Sequence, residues 1–245
     1  MNLQSILQTI SLRPPVLKRV IPCCGAAAFL LYKLLYVLGV DGRGLLKSGH
    51  FAWVLLCILS LAVGALILVS TARLPEGEVR FRRSLPAAVC AALAAISTLA
   101  TGMVCLGSGL LLYAIPALAA AVCFAAVALG RFRGQKIHFL PNALLCVHFI
   151  FQLLQLYRSS SFDPQVQDYF FQMLACIALA VTAYQQAAAE LGQGSRRWLW
   201  GAGMAAVYLS MLSLGSSSTG LFLTGAAWAF TAFPTPIRKR EQAEG

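Results

Sequence analysis

Hydrophobic residues are gathered into eight long runs, and polar residues are confined largely to the short stretches between them. A run of about 20 apolar residues is what an α-helix needs to cross about 30 Å of hydrocarbon. The pattern therefore predicts eight transmembrane helices, at residues 20–39, 51–71, 86–106, 109–130, 139–157, 168–189, 197–214 and 219–234.

Two pairs of these runs are separated only by the short segments LGSG, around Gly107, and LGSSSTG, around Ser217. Each segment could instead be an interruption within one long hydrophobic helix. Each pair of runs is about twice the length of one crossing, so we interpret both pairs as helical hairpins.

The first residues and the last ones are predicted to lie outside the bundle. Residues 1–15 carry leucine and isoleucine at spacings of three and four, which is typical of an amphipathic helix on a membrane surface. Residues 16–235 then form a single transmembrane bundle, and residues 236–245 form a basic tail. The even number of spans also permits two parallel halves, at about 16–135 and 136–235, as in some transporters.

Composition agrees with a chain that lies in a membrane. Of its 245 residues, 59% are hydrophobic and 11% are charged, whereas a soluble domain has about 25% charged residues. The sequence therefore predicts an all-α, polytopic transmembrane helix bundle.

The net charge of +11 reflects membrane topology rather than nucleic-acid binding, because the basic residues lie in short loops and not on one surface. Lysine and arginine accumulate on the cytoplasmic side of membrane proteins. With both termini cytoplasmic, only Arg43, Lys47 and Arg158 fall in outer loops, and Lys33 lies within the first span. The other fifteen fall inside: Arg13, Lys18, Arg19, Arg73, Arg80, Arg82, Arg83, Arg131, Arg133, Lys136, Arg196, Arg197, Arg238, Lys239 and Arg240.

A group of polar residues around the outer loop between the fifth and sixth spans forms the candidate site. Asp163 followed by Pro164 is a strong helix start. From there, polar and small residues recur every three or four positions along the sixth span, and the facing end of the fifth span has the same pattern. Together with the first span, these stripes predict an outward-facing pocket for a small polar solute, with the ligand-binding residues Lys33, His148, Gln152, Gln155, Arg158, Asp168 and Gln172.

The same residues also have a structural interpretation. Glutamine and histidine commonly form hydrogen bonds between transmembrane helices. The ammonium group of Lys33 could extend to the outer headgroups. His148 has no second histidine or carboxylate spaced as a metal ligand, which favours a hydrogen-bonded core residue.

Motifs for other chemistry are missing from the sequence. It has no zinc-binding spacing of Cys and His, no pair of intramembrane aspartates and no H-E-x-x-H motif. We therefore expect no catalytic residue, metal or cofactor. A second polar group, Tyr184, Gln185, Gln186 and Glu190, is predicted mainly to anchor the inner end of the sixth span at the interface.

The segment YRSSSFDPQVQDYFFQMLACIALAVTAYQQAAAELG, residues 157–192, begins its helix with Asp-Pro and carries Tyr-Gln near the helix end. It resembles a segment of small, uncharacterised multi-span membrane proteins of Gram-positive anaerobic bacteria. The resemblance implies a multi-pass protein of the bacterial cytoplasmic membrane and brings no activity with it.

Two functions follow as expectations. The first is a transporter-like protein that binds a small polar solute between spans one, five and six. The alternative is a non-catalytic membrane subunit or sensor that docks a membrane protein partner or anionic lipid through its basic cytoplasmic loops, above all Arg73 to Arg83. An enzyme is not favoured, and the expected surroundings are the lipid bilayer and not nucleic acid.

Overall fold

The computed structural model describes residues 14–39, 51–74, 79, 83–160, 166–215 and 219–230. These residues form eight α-helices and one 3₁₀ turn, Ser213–Gly215. The helices are α1 (Pro14–Gly39), α2 (Phe51–Ala72), α3 (Leu85–Gly107), α4 (Leu111–Arg133), α5 (Leu140–Ser160), α6 (Val166–Glu190), α7 (Arg196–Leu212) and α8 (Thr219–Ala229). One helix coincides with each predicted span, so the all-α bundle is confirmed.

Five helices, α2 to α6, are long and apolar enough to cross a membrane by themselves, and α1 contains a shorter apolar stretch, Val20–Leu35. Their outward faces carry large apolar side chains, such as Leu61, Leu93 and Val122, which are more than half exposed. Soluble monomers rarely expose apolar patches of more than a few hundred Å². The chain is therefore a membrane-embedded protein, and these faces meet lipid.

The α3–α4 hairpin shows how small residues hold the bundle together. Its inward faces are largely alanine, and its outward faces are leucine, isoleucine and valine. A Cβ atom on Gly102 of α3 would lie 2.9 Å from Leu118 Cδ2 on α4, so the two helices approach closely at a residue without a side chain. This arrangement confirms that the alanine-rich spans pack against each other.

Both predicted hairpins are separate helices. Between α3 and α4 the chain turns at Ser108, whose hydroxyl donates to the Val104 carbonyl at 2.9 Å, and at Gly109, which has a φ of 75°. Glycine adopts this left-handed conformation without the clash that a Cβ atom causes. The second hairpin joins α7 to α8, although residues 216–218 lie outside the described part of the chain.

The start of the first helix differs from its prediction. We expected Pro14 and Pro15 to end the surface helix and the first span to begin at residue 20, but Pro14 is the first residue of α1. Proline is favoured in the first turn of a helix because its missing N–H has no partner there in any case. The remainder of the predicted surface helix and the basic tail at 236–245 lie outside the described residues.

Helix α7 lies at the centre of the packing. It contacts α1, α2, α6 and α8, and the hydroxyl groups of Ser60 on α2 and Tyr208 on α7 are hydrogen-bonded at 2.9 Å. Beside it, Trp228 of α8 packs against Phe124 of α4 and Phe149 of α5, with ring centroids 5.9 and 5.3 Å away. One hydrophobic core therefore passes through all eight helices. The division into two four-span halves stays a prediction.

Alternate helix ends meet on one side of the bundle. The Nε atom of Arg197, at the start of α7, donates to the carbonyl of Leu74, after α2, at 2.5 Å. The N–H of Ser84, before α3, donates to the carbonyl of Arg131, near the end of α4. These ends carry the arginines that the charge pattern places inside, and we refer to this side as the inner side.

Gly102→Leu should destabilise the bundle, because its side chain would enter the space that Leu118 occupies. Overpacking of this kind costs about 1–3 kcal/mol, so the apparent melting temperature in detergent should fall by several degrees. The matched control is Ala100→Leu, whose side chain points away from the core and should have little effect. Equal melting temperatures for the two variants would contradict the close α3–α4 contact.

Candidate functional site

Three polar side chains of α5 are buried or half-buried at three levels along the helix. Asn142 lies near the inner end and is completely buried, His148 is near the middle and is 5% exposed, and Gln155 is half-buried near the outer end. The thirteen steps from Asn142 to Gln155 correspond to a rise of about 20 Å along the helix. Polar groups therefore extend over most of the membrane thickness on this helix.

Several polar atoms of these side chains have no hydrogen-bond partner among the described residues. They are both side-chain amide atoms of Asn142, Nδ1 of His148 and Nε2 of Gln155. The His148 imidazole also hydrogen-bonds to the backbone of Pro116 on α4, which agrees with its interpretation as a bonded core residue. Buried polar groups nearly always have a partner in a native protein. We therefore expect water or a solute to supply the hydrogen bonds that these atoms of α5 lack.

Helix α6 packs antiparallel against α5 and carries its own buried amides. Gln172 near the outer end is 5% exposed, and Gln186 near the inner end is completely buried. Between them the buried residues are mostly small, such as Cys176, Ala180 and Ala183. The two glutamines are about 21 Å apart along the helix axis. The facing helices thus each have an outer and an inner polar group.

The predicted site residues fall into three groups. His148 and Gln172 are buried, Gln152 and Gln155 are half-buried, and Lys33 and Arg158 are exposed. The side chain of the seventh, Asp168, lies outside the described residues, and so does Asp163. The pocket formed by all seven residues therefore stays a prediction.

The first span approaches the site through aromatic residues. Helix α1 packs mainly against α2 and α7, and its Tyr32 ring meets the Phe171 ring of α6 edge-on at 6.3 Å. The Trp53 ring of α2 lies 5.9 Å from the same Phe171 ring. Phe171 precedes Gln172, so α6 meets α1 and α2 near Gln172 through the aromatic rings of Tyr32 and Trp53. Lys33 of α1 is exposed.

The inner ends of α4 and α6 are joined by an ion pair that the sequence analysis did not predict. Arg131 Nη1 lies 3.4 Å from Glu190 Oε1, and the two side chains are 2% and 0% exposed. We expected Arg131 in an inner loop and Gln186 and Glu190 at the membrane interface. Arg131 instead lies within α4, which continues to Arg133. The side chains of Gln186 and Glu190 are buried and not at the interface, in agreement with the polar stripe predicted along the sixth span.

A basic side chain and a backbone group near this pair interact favourably with the Glu190 carboxylate. Lys136 and the backbone of Ile137, in the connection from α4 to α5, lie close to the Glu190 carboxylate. The Ile137 side chain packs directly against Gly130, one residue before Arg131. The connection therefore covers the pair from the inner side. Partners of opposite charge are needed here, because an isolated buried charge is strongly unfavourable.

Within the described part of the chain, no three His, Cys, Asp or Glu side chains come close enough to hold a metal ion. No protein-family model, curated protein or solved structure matches this chain. The chemistry of the site must therefore be inferred from its own residues.

Glu190→Gln should destabilise the protein strongly, because it leaves the buried Arg131 guanidinium without its counter-charge. Loss of one partner of a buried pair costs about 3–5 kcal/mol, and Arg131→Gln should have a similar effect. The double variant should lose less stability than the two single losses combined. Stability can be followed by unfolding in detergent.

Arg133→Gln is the matched control, because Arg133 is exposed at the same end of α4. It should leave stability nearly unchanged. Additive losses in the Arg131/Glu190 cycle would show that the two side chains are not coupled.

Proposed function

We propose that the protein is a transporter that binds a small polar solute between α5 and α6 from the outer side of the membrane. The observation that carries the proposal is the set of open hydrogen-bonding atoms on Asn142, His148 and Gln155, at three levels along α5. Each unsatisfied polar group in the hydrocarbon region costs several kcal/mol. Water molecules in a hydrated path would form hydrogen bonds with these atoms at all three levels of α5.

The chemistry of the path favours an uncharged solute. Its outer part presents the amides of Gln155 and Gln172 and the imidazole of His148, which together offer both donors and acceptors. The buried charges of Arg131 and Glu190 are paired with each other. A solute with several hydroxyl or amide groups would match this lining, whereas a net charge would enter without a buried counter-ion and at a high desolvation cost.

In this proposal the Arg131–Glu190 ion pair closes the inner end of the solute path. Arg131 and Glu190 connect α4 to α6 where both helices end, and the buried side chains of Asn142 and Gln186 belong to the inner ends of α5 and α6. In our proposal the described conformation is closed to the inside, and passage of the solute requires α4 and α6 to separate. Transporters typically change access in this way, by moving one group of helices against another.

The distribution of arginine and lysine supports an orientation with both termini in the cytoplasm. With the sequence resemblance, it also supports the bacterial cytoplasmic membrane as the location. In that orientation Gln155 and Gln172 lie near the outer surface, and the Arg131–Glu190 pair lies near the cytoplasm.

The double variant Gln155→Ala/Gln172→Ala should lose the response to solute. We would screen the purified protein for a rise in melting temperature with polyols, sugars, neutral amino acids and small amides. A solute that raises the melting temperature of the unaltered protein should leave that of the double variant unchanged, because both outer amide contacts are gone.

The matched control is Gln135→Ala, which removes an exposed glutamine from an inner loop. It should respond to the solute like the unaltered protein. A full response in the folded double variant would contradict binding between α5 and α6.

A further inference from the structure

A groove of about 590 Å³ lies on the outside of the bundle, between α2, α6 and α7. Its floor is formed by small residues of α7, including Gly201, Ala202 and Ala205, and Gly64 and Val181 line it from α2 and α6. The size is within the usual 300–1,000 Å³ of ligand sites. The groove faces the membrane and is separate from the α5–α6 interior.

The groove exists because α2 and α6 both pack against α7, and the residues of α7 between them are small. Gly201 is needed for the approach of α2, since a Cβ atom there would lie 2.9 Å from Thr71 Cγ2. Gly64 has the opposite property, because a Cβ atom at this position meets nothing within 4 Å. The α2 wall of the groove therefore opens into free space at Gly64.

The inner end of the groove is polar and basic. Ser195, Arg197 and Trp198 line this end, and Arg197 is held in place by its hydrogen bond to the Leu74 carbonyl. Arg73 after α2 is exposed nearby in the fold. Trp198 is 69% exposed, as is usual for a tryptophan at the level of the lipid headgroups.

The dimensions fit one leaflet of the bilayer. From Gly64 to Ala72 the α2 wall rises about 12 Å, and the α7 wall from Arg197 to Ala205 rises the same distance. Half of a hydrocarbon core is about 15 Å thick. An acyl chain whose headgroup lies beside Arg197 would therefore lie along the groove for most of one leaflet.

We propose that the α2–α6–α7 groove binds an anionic phospholipid of the inner leaflet, with an acyl chain along α7 and the headgroup phosphate beside Arg197. Apolar walls with a cation at one end match this molecule in shape and in charge. Arginine is well suited to phosphate because its planar group presents five N–H donors. This inference is independent of the transport proposal, because it concerns a different surface.

The test compares two lipids with identical acyl chains, dioleoyl phosphatidylglycerol and dioleoyl phosphatidylcholine, added to the full chain in detergent. Phosphatidylglycerol should raise the apparent melting temperature by about 3 °C or more above the value with phosphatidylcholine. Gly64→Leu, which fills the open part of the groove, should abolish this difference. Ala65→Leu is the matched control, because its side chain is exposed outside the groove, and it should keep the difference.

Ala202→Leu, which fills the groove from α7, provides a second variant and should give the same loss. Native mass spectrometry should in parallel detect phosphatidylglycerol retained by the unaltered protein and by Ala65→Leu, and not by the two filled variants. Equal stabilisation by both lipids would overturn the proposal. An undiminished preference for phosphatidylglycerol in a filled variant would also overturn it.

Discussion

Hydrocarbon offers no hydrogen bonds, and the organisation of this protein depends on that constraint. Backbone N–H and C=O groups are satisfied within helices, and large apolar side chains such as Leu61 and Val122 face outward. Polar side chains must then find partners inside the bundle. Most do so locally, as when the hydroxyl of Thr182 donates to the Ala178 carbonyl at 2.7 Å. Asn142, His148 and Gln155 of α5 leave several side-chain atoms without such a partner among the described residues, and the proposed function follows from these atoms.

Helices α6 and α7 connect the two sites for which we propose ligands, the α5–α6 interior and the α2–α6–α7 groove. One side of α6 carries Gln172 and Gln186 within the bundle, and another side presents Val181 to the outer groove. Helix α7 packs against α6 and supplies the floor of the groove. A movement that separates α4 from α6 at the Arg131–Glu190 pair would therefore also alter one wall of the lipid groove. Bound lipid and solute could influence each other through this shared helix without direct contact.

Hydrophobic run length and charge alternation were sufficient to predict all eight helices, because both reflect the thickness and polarity of the surrounding solvent. Side-chain placement at the helix ends was less predictable. Arg131 and Glu190 are separated by fifty-nine positions, and a charge near the end of a span has the same sequence pattern whether it faces headgroups or a buried partner. Asn142 belongs to no periodic stripe and was missed. Gln186 and Glu190 belong to the polar and small-residue stripe predicted along the sixth span, but that stripe does not indicate a partner on another helix.

The central claim is that the α5–α6 interior, where Gln172 is 5% exposed in the described conformation, opens to water from the outer side during transport. Single cysteines at positions 155 and 172, in a chain without its native cysteines, can be exposed to a membrane-impermeant maleimide added from outside. A cysteine replacing Ala94 of α3, which is completely buried, provides the protected reference. The account predicts labelling at 155 and 172 as the path opens, and none at 94. Protection of all three positions in a folded protein would show that the glutamines are structural hydrogen-bonding residues and that no outer path exists.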